Sequence, residues 1–299
     1  MSPPTANTLP IAATWRDYWA LTKPRVVALI MLTALVGTLL AAPGLPPLDA
    51  LIFGNLGIAL AAASAAAVNH VLDAHIDARM LRTRRRPLPS GHLSHRQALL
   101  FALALAVCSM TLLLAFVNPL TAALTFASLI VYAVVYTVWL KRATPQNIVI
   151  GGAAGAAPPV LGWIAVTNHI DAQALLLFMI IFTWTPPHFW ALAIARRADY
   201  VRAGIPMLPV THGVELTRLH VLLYTVMLFV VTLLPAITGM TGLIYLVAAL
   251  ILNTRFLWHA IAMKRSPSDE RAMIVFRFSI SYLMWLFVAL LVDHYLRIV

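Results

Sequence analysis

Asn69, Asp73 and Asp77 stand four residues apart in NHVLDAHIDARMLRTRRRPLPSG, residues 69–91. On a helix that spacing lines an amide and two carboxylates along one face. Two carboxylates at i and i+4 repel each other, so a cation is expected against them. Arg79 or Arg82 would supply it as a plain ion pair. A divalent ion is the other candidate. Mg2+ takes oxygen ligands and typically binds through one or two carboxylates, with substrate phosphates and water completing its shell. Arg82, Arg84, Arg85 and Arg86 follow at once and offer guanidinium forks for phosphate oxygens. The same run is also what an inward membrane loop carries on topological grounds alone. A second acidic spot, Asp199, lies among Arg196, Arg197 and Arg202, ahead of Gly204, Pro206 and Pro209, which stop a helix. It reads either as an ion-paired loop or, if it faces the first cluster, as the other half of one site.

Such loops must be held by something, and composition says what. The chain has 299 residues, of which 62% are hydrophobic and 10% charged, and a mean hydropathy of +0.88. A soluble domain needs far more charge to cover its surface. Uncharged stretches close to the roughly 20 residues a bilayer demands recur, for example 99–117 and 120–140. The fold class is therefore an all-α polytopic membrane protein. The net charge of +11 belongs to topology rather than to nucleic acid. Cys108, the single cysteine, falls mid-span, excludes an internal disulfide and is expected to be small, buried and inert.

Nine spans are predicted, near 24–42, 50–73, 97–117, 120–140, 146–167, 173–195, 216–236, 241–261 and 273–296. The stretch 219–254 is free of charge and, at about 1.5 Å per residue, about 54 Å long, so PAITGMTG within it is read as a hairpin. With the N-terminus inside, every Lys and Arg but Arg297 falls on the inward side, so the C-terminus is placed outside. Residues 1–20 are expected to be a mobile arm without a cleavable presequence, and 21–299 a single intramembrane domain with its acidic loops at about 69–96 and 196–215. A faint parallel echo links KPR (23–25), before the helix pair ending at Asp73 and Asp77, to KRATP (141–145), before the pair ending at Asp199. Outward acids, Asp49, Asp171 and Asp293, occur singly.

Inside the membrane, Pro186 and Pro187 are expected to break a helix and free carbonyls, which either satisfy His188 or leave its imidazole for a ligand. Trp184, Phe189 and Trp190 would form a flat wall or simply pack. Tyr136 and Asn147 line a cavity or bond between helices. Lys23, Arg25, Lys141 and Arg142 sit at inward helix ends, where snorkelling is the default. Gly151 and Gly155, four apart, favour close helix packing.

These motifs resemble the UbiA-type intramembrane prenyltransferases. NHVLDAHIDARM is similar to their first aspartate signature. The resemblance extends through LTKPRVV (21–27), VYTVWLKRATPQNIVIGGAAGAAPPVLGW (135–163), WTPPHFWALAI (184–194) and DYVRAGIPMLPV (199–210). The central blocks resemble the branch that prenylates heme. The resemblance implies a nine-helix bundle around a central cavity, capped by two aspartate loops on the cytoplasmic side. It implies Mg2+ as cofactor, with Asn69, Asp73, Asp77 and Asp199 as its ligands and the three aspartates as catalytic residues. Lys23, Arg25, Arg82, Arg86, Lys141 and Arg142 would then bind diphosphate, and Tyr136, Asn147, Trp184, His188 and Tyr200 would face heme or cavity. The second motif departs from the family at Ala203, where an acid is expected, so Tyr200, water or the diphosphate would complete that site. The implied reaction is farnesyl transfer from farnesyl diphosphate to a vinyl group of heme b, with addition of water. The implied partners are those two substrates, the lipid bilayer, and a heme A synthase or terminal oxidase that takes the product; the implied address is a bacterial inner membrane. A quinone or other aromatic acceptor is the alternative within the same architecture. A non-catalytic transporter or heme-binding protein is disfavoured, because the charges avoid mid-span.

Overall fold

A computed structural model describes residues 13–298. It is helical throughout the bundle. Helix α1 spans Trp15–Leu21, α2 Pro24–Leu40, α3 Ala50–Leu72, α4 His95–Phe116, α5 Pro119–Leu140, α6 Asn147–Thr167 and α7 Ala172–Ala195. A short α8, Arg197–Ala203, precedes α9 Val214–Ile237, α10 Leu243–Arg265 and α11 Asp269–Ile298. Among the described residues eight helices are long and apolar enough to cross a membrane, and a ninth if α1 and α2, bent by 52°, count together.

The apolar surface is distributed by position in the bundle. Helix α7 is apolar on every side and is largely buried against α6, α9 and α11, as expected of a helix without a polar face. Helix α4 is more apolar still but mostly faces away from the bundle, touching chiefly α3. Cys108 lies on that outward face and is exposed rather than buried, because α4 has its main neighbour on one side. Contacts between α11 and α2 close the bundle.

Helix α2 and the second half of α6 approach backbone to backbone. A Cβ on Gly37 would overlap the Pro159 carbonyl, and one on Gly162 the Ala34 carbonyl. Small residues let backbones approach where lipid supplies no hydrophobic drive between helices. The expectation for Gly151 and Gly155 is corrected here. Gly151 makes room for the Tyr136 ring, while a Cβ on Gly155 would meet nothing within 4 Å.

Two further expectations change. Residues 15–20, assigned to a mobile arm, are helical: Tyr18 packs on Phe101 with centroids 5.2 Å apart, and Leu21 is fully buried beside Ala67, Leu88 and Leu93. Asp17 accepts from the Thr14 N–H at 2.9 Å and its hydroxyl at 2.7 Å, which holds its carboxyl below the usual range, and meets His92 Nδ1 at 3.1 Å. Residues 1–12 of the expected arm lie outside the described residues. Pro186 and Pro187 do not break α7, which runs through both; dense packing on all sides outweighs the lost backbone bonds.

The acids expected to face outward, Asp49, Asp171 and Asp293, are helix and loop fasteners. Asp49 accepts from Ala50 N at 2.8 Å, Asp171 from Trp163 Nε1 at 2.6 Å, and buried Asp293 from the N–H groups of Gly242 and Tyr245 at 2.5 and 3.1 Å. That last pair caps the start of α10.

Candidate functional site

The Asn69–Asp73–Asp77 stripe is assembled at the C-terminal end of α3. The regular helix stops at Leu72 and Asp73 leaves helical geometry, yet a short turn, Ala74–Asp77, follows. The bonds Asp73 N to Asn69 O (3.0 Å) and Asp77 N to Asp73 O (2.8 Å) keep the three side chains in line across the interruption. All three are buried.

Cations from three other segments converge on them. Lys23 Nζ donates to Asn69 Oδ1, Lys141 Nζ to Asp73 Oδ2 at 2.6 Å, and Arg86 to Asp77 Oδ2 at 2.7 Å. The expected partners of the carboxylates, Arg79 and Arg82, are instead exposed, as are Arg84 and Arg85. The loop 78–93 folds back through Pro87 and Pro89, so only Arg86 is turned inward. The sequence echo thus has an outcome: the lysines of KPR and KRATP both serve the first acidic cluster.

Lys23 reaches it through an unusual backbone. It adopts φ 51°, a left-handed conformation, at the bend where Pro24 starts α2. Such a conformation costs about 1–3 kcal/mol and concentrates at functional sites. Burial pushes its ammonium down to about 7; Arg86 and Lys141 add to the fall, and Asp73 and Asp77 oppose it. Arg25, two residues on, occupies an exposed position and is not brought to the cluster. The side chain of Arg142 lies outside the described residues.

The second half of α5 is π-helical from Val131 to Leu140, a form that often marks functional sites. Its register turns Thr137 toward the stripe, where its hydroxyl accepts from Asn69 Nδ2 at 3.2 Å while donating to Tyr132 O at 2.9 Å. It also stacks Tyr132 on Tyr136, 5.7 Å apart. Sequence reasoning missed Thr137 and Tyr132; the only signal was tyrosines at i and i+4 just before Lys141. Asn147 is fully buried but bonds loop carbonyls, donating to Thr144 O at 2.8 Å, and its Oδ1 has no partner. It secures the turn after Lys141.

Asp199 is buried on α8 and ion-paired with Arg202. The two acidic loops meet. A cleft of about 360 Å3 is lined by Leu81 and Arg82 from the first and by Arg196, Asp199 and Arg202 from the second. Tyr200, buried beside it, has its hydroxyl pushed up by burial and by Asp199, with Arg82 and Arg86 opposing. Ala203 is buried.

Whether these residues fit a metal can be tested on one atom. Asp73 Oδ1 is buried and has no hydrogen-bond partner, a costly state for a carboxylate oxygen and an open ligand position. Among the described residues no three His, Cys, Asp or Glu side chains form a metal-binding group. Two carboxylates and an amide are an incomplete set of the kind Mg2+ shares with phosphate oxygens and water. The donor set fits such an ion.

Deeper along α7, His188 stacks on Trp184 at 4.2 Å and on Phe276 at 4.6 Å, and its Nδ1 lies 2.6 Å from Ser279 Oγ. Its partner is therefore a hydroxyl on α11, not the carbonyls near the prolines. Trp184 Nε1 donates to Ser279 O at 2.8 Å.

Known proteins resemble this chain in both sequence and fold. The UbiA prenyltransferase family model matches residues 30–288. A protoheme IX farnesyltransferase of Hahella chejuensis is 62% identical over 294 residues, 98% of each chain. Another, of Methylococcus capsulatus, is 60% identical over 282 residues, 94% of this chain and 95% of its own. Among solved structures, a digeranylgeranylglyceryl phosphate synthase superposes with TM-score 0.78 at 18% identity, covering 94% of this chain and 98% of that one. A UbiA homolog from Archaeoglobus fulgidus bound to GPP and Mg2+ does so with TM-score 0.61 at 17% identity, covering 92% and 99%. At those identities the structural likeness speaks for the fold.

Proposed function

The chain belongs to the UbiA prenyltransferase family, and from that premise we propose how it works: it transfers the farnesyl group of farnesyl diphosphate to a vinyl group of heme b. Water is added in the same sequence, and the products are heme O and diphosphate. The observation that carries the reading is the buried carboxylate stripe held by Lys23, Lys141 and Arg86 at the mouth of an apolar bundle, in a chain about 60% identical over nearly its full length to relatives named protoheme IX farnesyltransferase.

Asn69, Asp73 and Asp77, with Asp199 across the cleft, would hold Mg2+. When bound, the ion supplies positive charge to the diphosphate. Lys23, Lys141 and Arg86, now spent on the acidic stripe, turn to the diphosphate oxygens when the substrate arrives. Arg82, at the cleft beside Asp199, closes on the same anion. These fixed charges stabilise the negative charge that develops on the leaving group as the allylic C–O bond breaks. The vinyl π electrons form the new C–C bond. Water then adds to the cation left beside the porphyrin and releases a proton. Apolar walls below the loops, with Tyr136 and Trp184 among them, keep water from the allylic carbon until the acceptor has attacked.

The protein is integral and multi-pass. We further infer nine spans, α2 being the first and α1 the bent approach to its inward end. The same reading gives a cytoplasmic N-terminus, an external C-terminus and a site facing the cytoplasm of a bacterial inner membrane. The product is then available to a heme A synthase or terminal oxidase in the same membrane. The test is direct. Purified protein in detergent converts heme b and farnesyl diphosphate to a species heavier by farnesyl plus water, with Mg2+ and not after chelation. Absence of that product, with prenylation of a quinone precursor instead, overturns the acceptor assignment.

A further inference from the structure

We propose that Nε2 of His188 is the axial ligand of the heme iron while the acceptor is bound, and that Ser279 is the positioning residue that leaves this nitrogen free. The proposal rests on the reading of heme b as acceptor, and it follows from a hydrogen count. Ser279 Oγ lies 2.6 Å from His188 Nδ1 and 2.6 Å from Phe276 O. A carbonyl oxygen only accepts, so the single hydroxyl hydrogen goes to Phe276 O. Nδ1 must then carry its own proton and donate it to Oγ. The imidazole is neutral in that arrangement, and Nε2 holds the lone pair. A histidine whose Nδ1–H is engaged by an oxygen is the form that ligates metals.

Nε2 has no hydrogen-bond partner among the described residues, and His188 is buried but keeps 7% of its surface exposed. His70 makes the contrast: both of its ring nitrogens are sealed and unpartnered. Neighbouring rings hold the His188 imidazole where it is. Trp184 and Phe276 both stack on it, at interplanar angles of 19° and 29°, and Phe189 meets it edge-on at 4.9 Å. The ring is thereby fixed, with one basic nitrogen left unpartnered.

Depth agrees. His188 lies seven residues before the end of α7, which at about 1.5 Å per residue is about 10 Å below the Asp199 loop. A porphyrin held there sits in the apolar layer with its edge toward the diphosphate cleft. Ligation would fix which edge faces the allylic carbon.

The test uses the full-length protein in detergent with heme b alone, read by absorption and resonance Raman spectroscopy of the ferrous state. Wild type is expected to show an iron–histidine stretching band, H188Q and H188A to lack it, and added imidazole to restore it in H188A. S279A is expected to shift that band and to weaken heme affinity about tenfold or more, with S279T restoring both. A band that persists in H188A and H188Q overturns the ligand assignment, and an S279A band identical to wild type overturns the positioning role. Should H188A fail to fold, H188Q and S279A carry the same decision. If wild type farnesylates heme b but shows no such band, this proposal falls and the farnesyl transfer stands. If it neither binds nor farnesylates heme b, both fall.

Discussion

Lys23 and Arg25 separate what a basic residue does from where it stands. Both lie at the start of α2, but only Lys23, set in a left-handed backbone, reaches Asn69. K23A is therefore expected to lose about tenfold or more in kcat/KM for farnesyl diphosphate, a charge-assisted contact being worth about 1.5–3 kcal/mol. R25A should stay within about twofold, since an exposed charge contributes little. Equal losses in steady-state assays would remove the distinction. Asp73 carries the heavier role: D73N is expected to lower kcat by about 100-fold or more while folded yield and heme b binding stay near wild type. Loss of folded protein instead would mean that Asp73 serves only to neutralise Lys141. The acidic stripe was legible from its spacing, and so was the need for a cation. The identity of the cations was not, because Lys141 lies 68 positions from Asp73 in the chain and nothing local links them.

Between helices, close approach is decided by which glycine faces a neighbour. Gly37 and Gly162 meet backbone carbonyls across the α2–α6 contact, whereas Gly155 opens on empty space. G162A is expected to destabilise the fold by at least the ~1–3 kcal/mol typical of overpacking, seen as a lower thermal midpoint in detergent. G155A should leave that midpoint unchanged or slightly raised, because alanine favours helix by about 0.8–1 kcal/mol over glycine. The reverse order would mean that α6 is rotated. From sequence, Gly151 and Gly155 looked like the packing pair, as spacing reports periodicity and not the direction a face points. The π-helical register of α5 escaped for a related reason: an i to i−5 ladder depends on what Thr137 meets outside its own helix.

At the scale of the whole molecule, the distribution of charge sets orientation. Every Lys and Arg but Arg297 lies toward one end of the predicted spans, and exposed loop positions at both ends allow a direct check. In a C108S background, S90C is expected to react with a membrane-impermeant maleimide only from the cytoplasmic side and L45C only from the outer side. The opposite pattern would invert the protein. Asp293 offers a stability check at the opposite end of the bundle from the acidic stripe. D293A removes the cap on α10 and is expected to cost about 0.5–2 kcal/mol, measured as a lowered thermal midpoint.

Composition and spacing alone determined that the chain is a helical membrane protein, where its spans lie to within a few residues, and which acids gather at one face. These are properties of local sequence: hydropathy sets which segments leave water, and periodicity sets which side chains share a helix face. The tertiary structure decided which cations meet Asn69, Asp73 and Asp77, that Arg86 alone of its arginine run turns inward, that α7 continues through two prolines, and that His188 bonds Ser279. Each of those depends on side chains brought together from distant parts of the chain, where packing outweighs local preference.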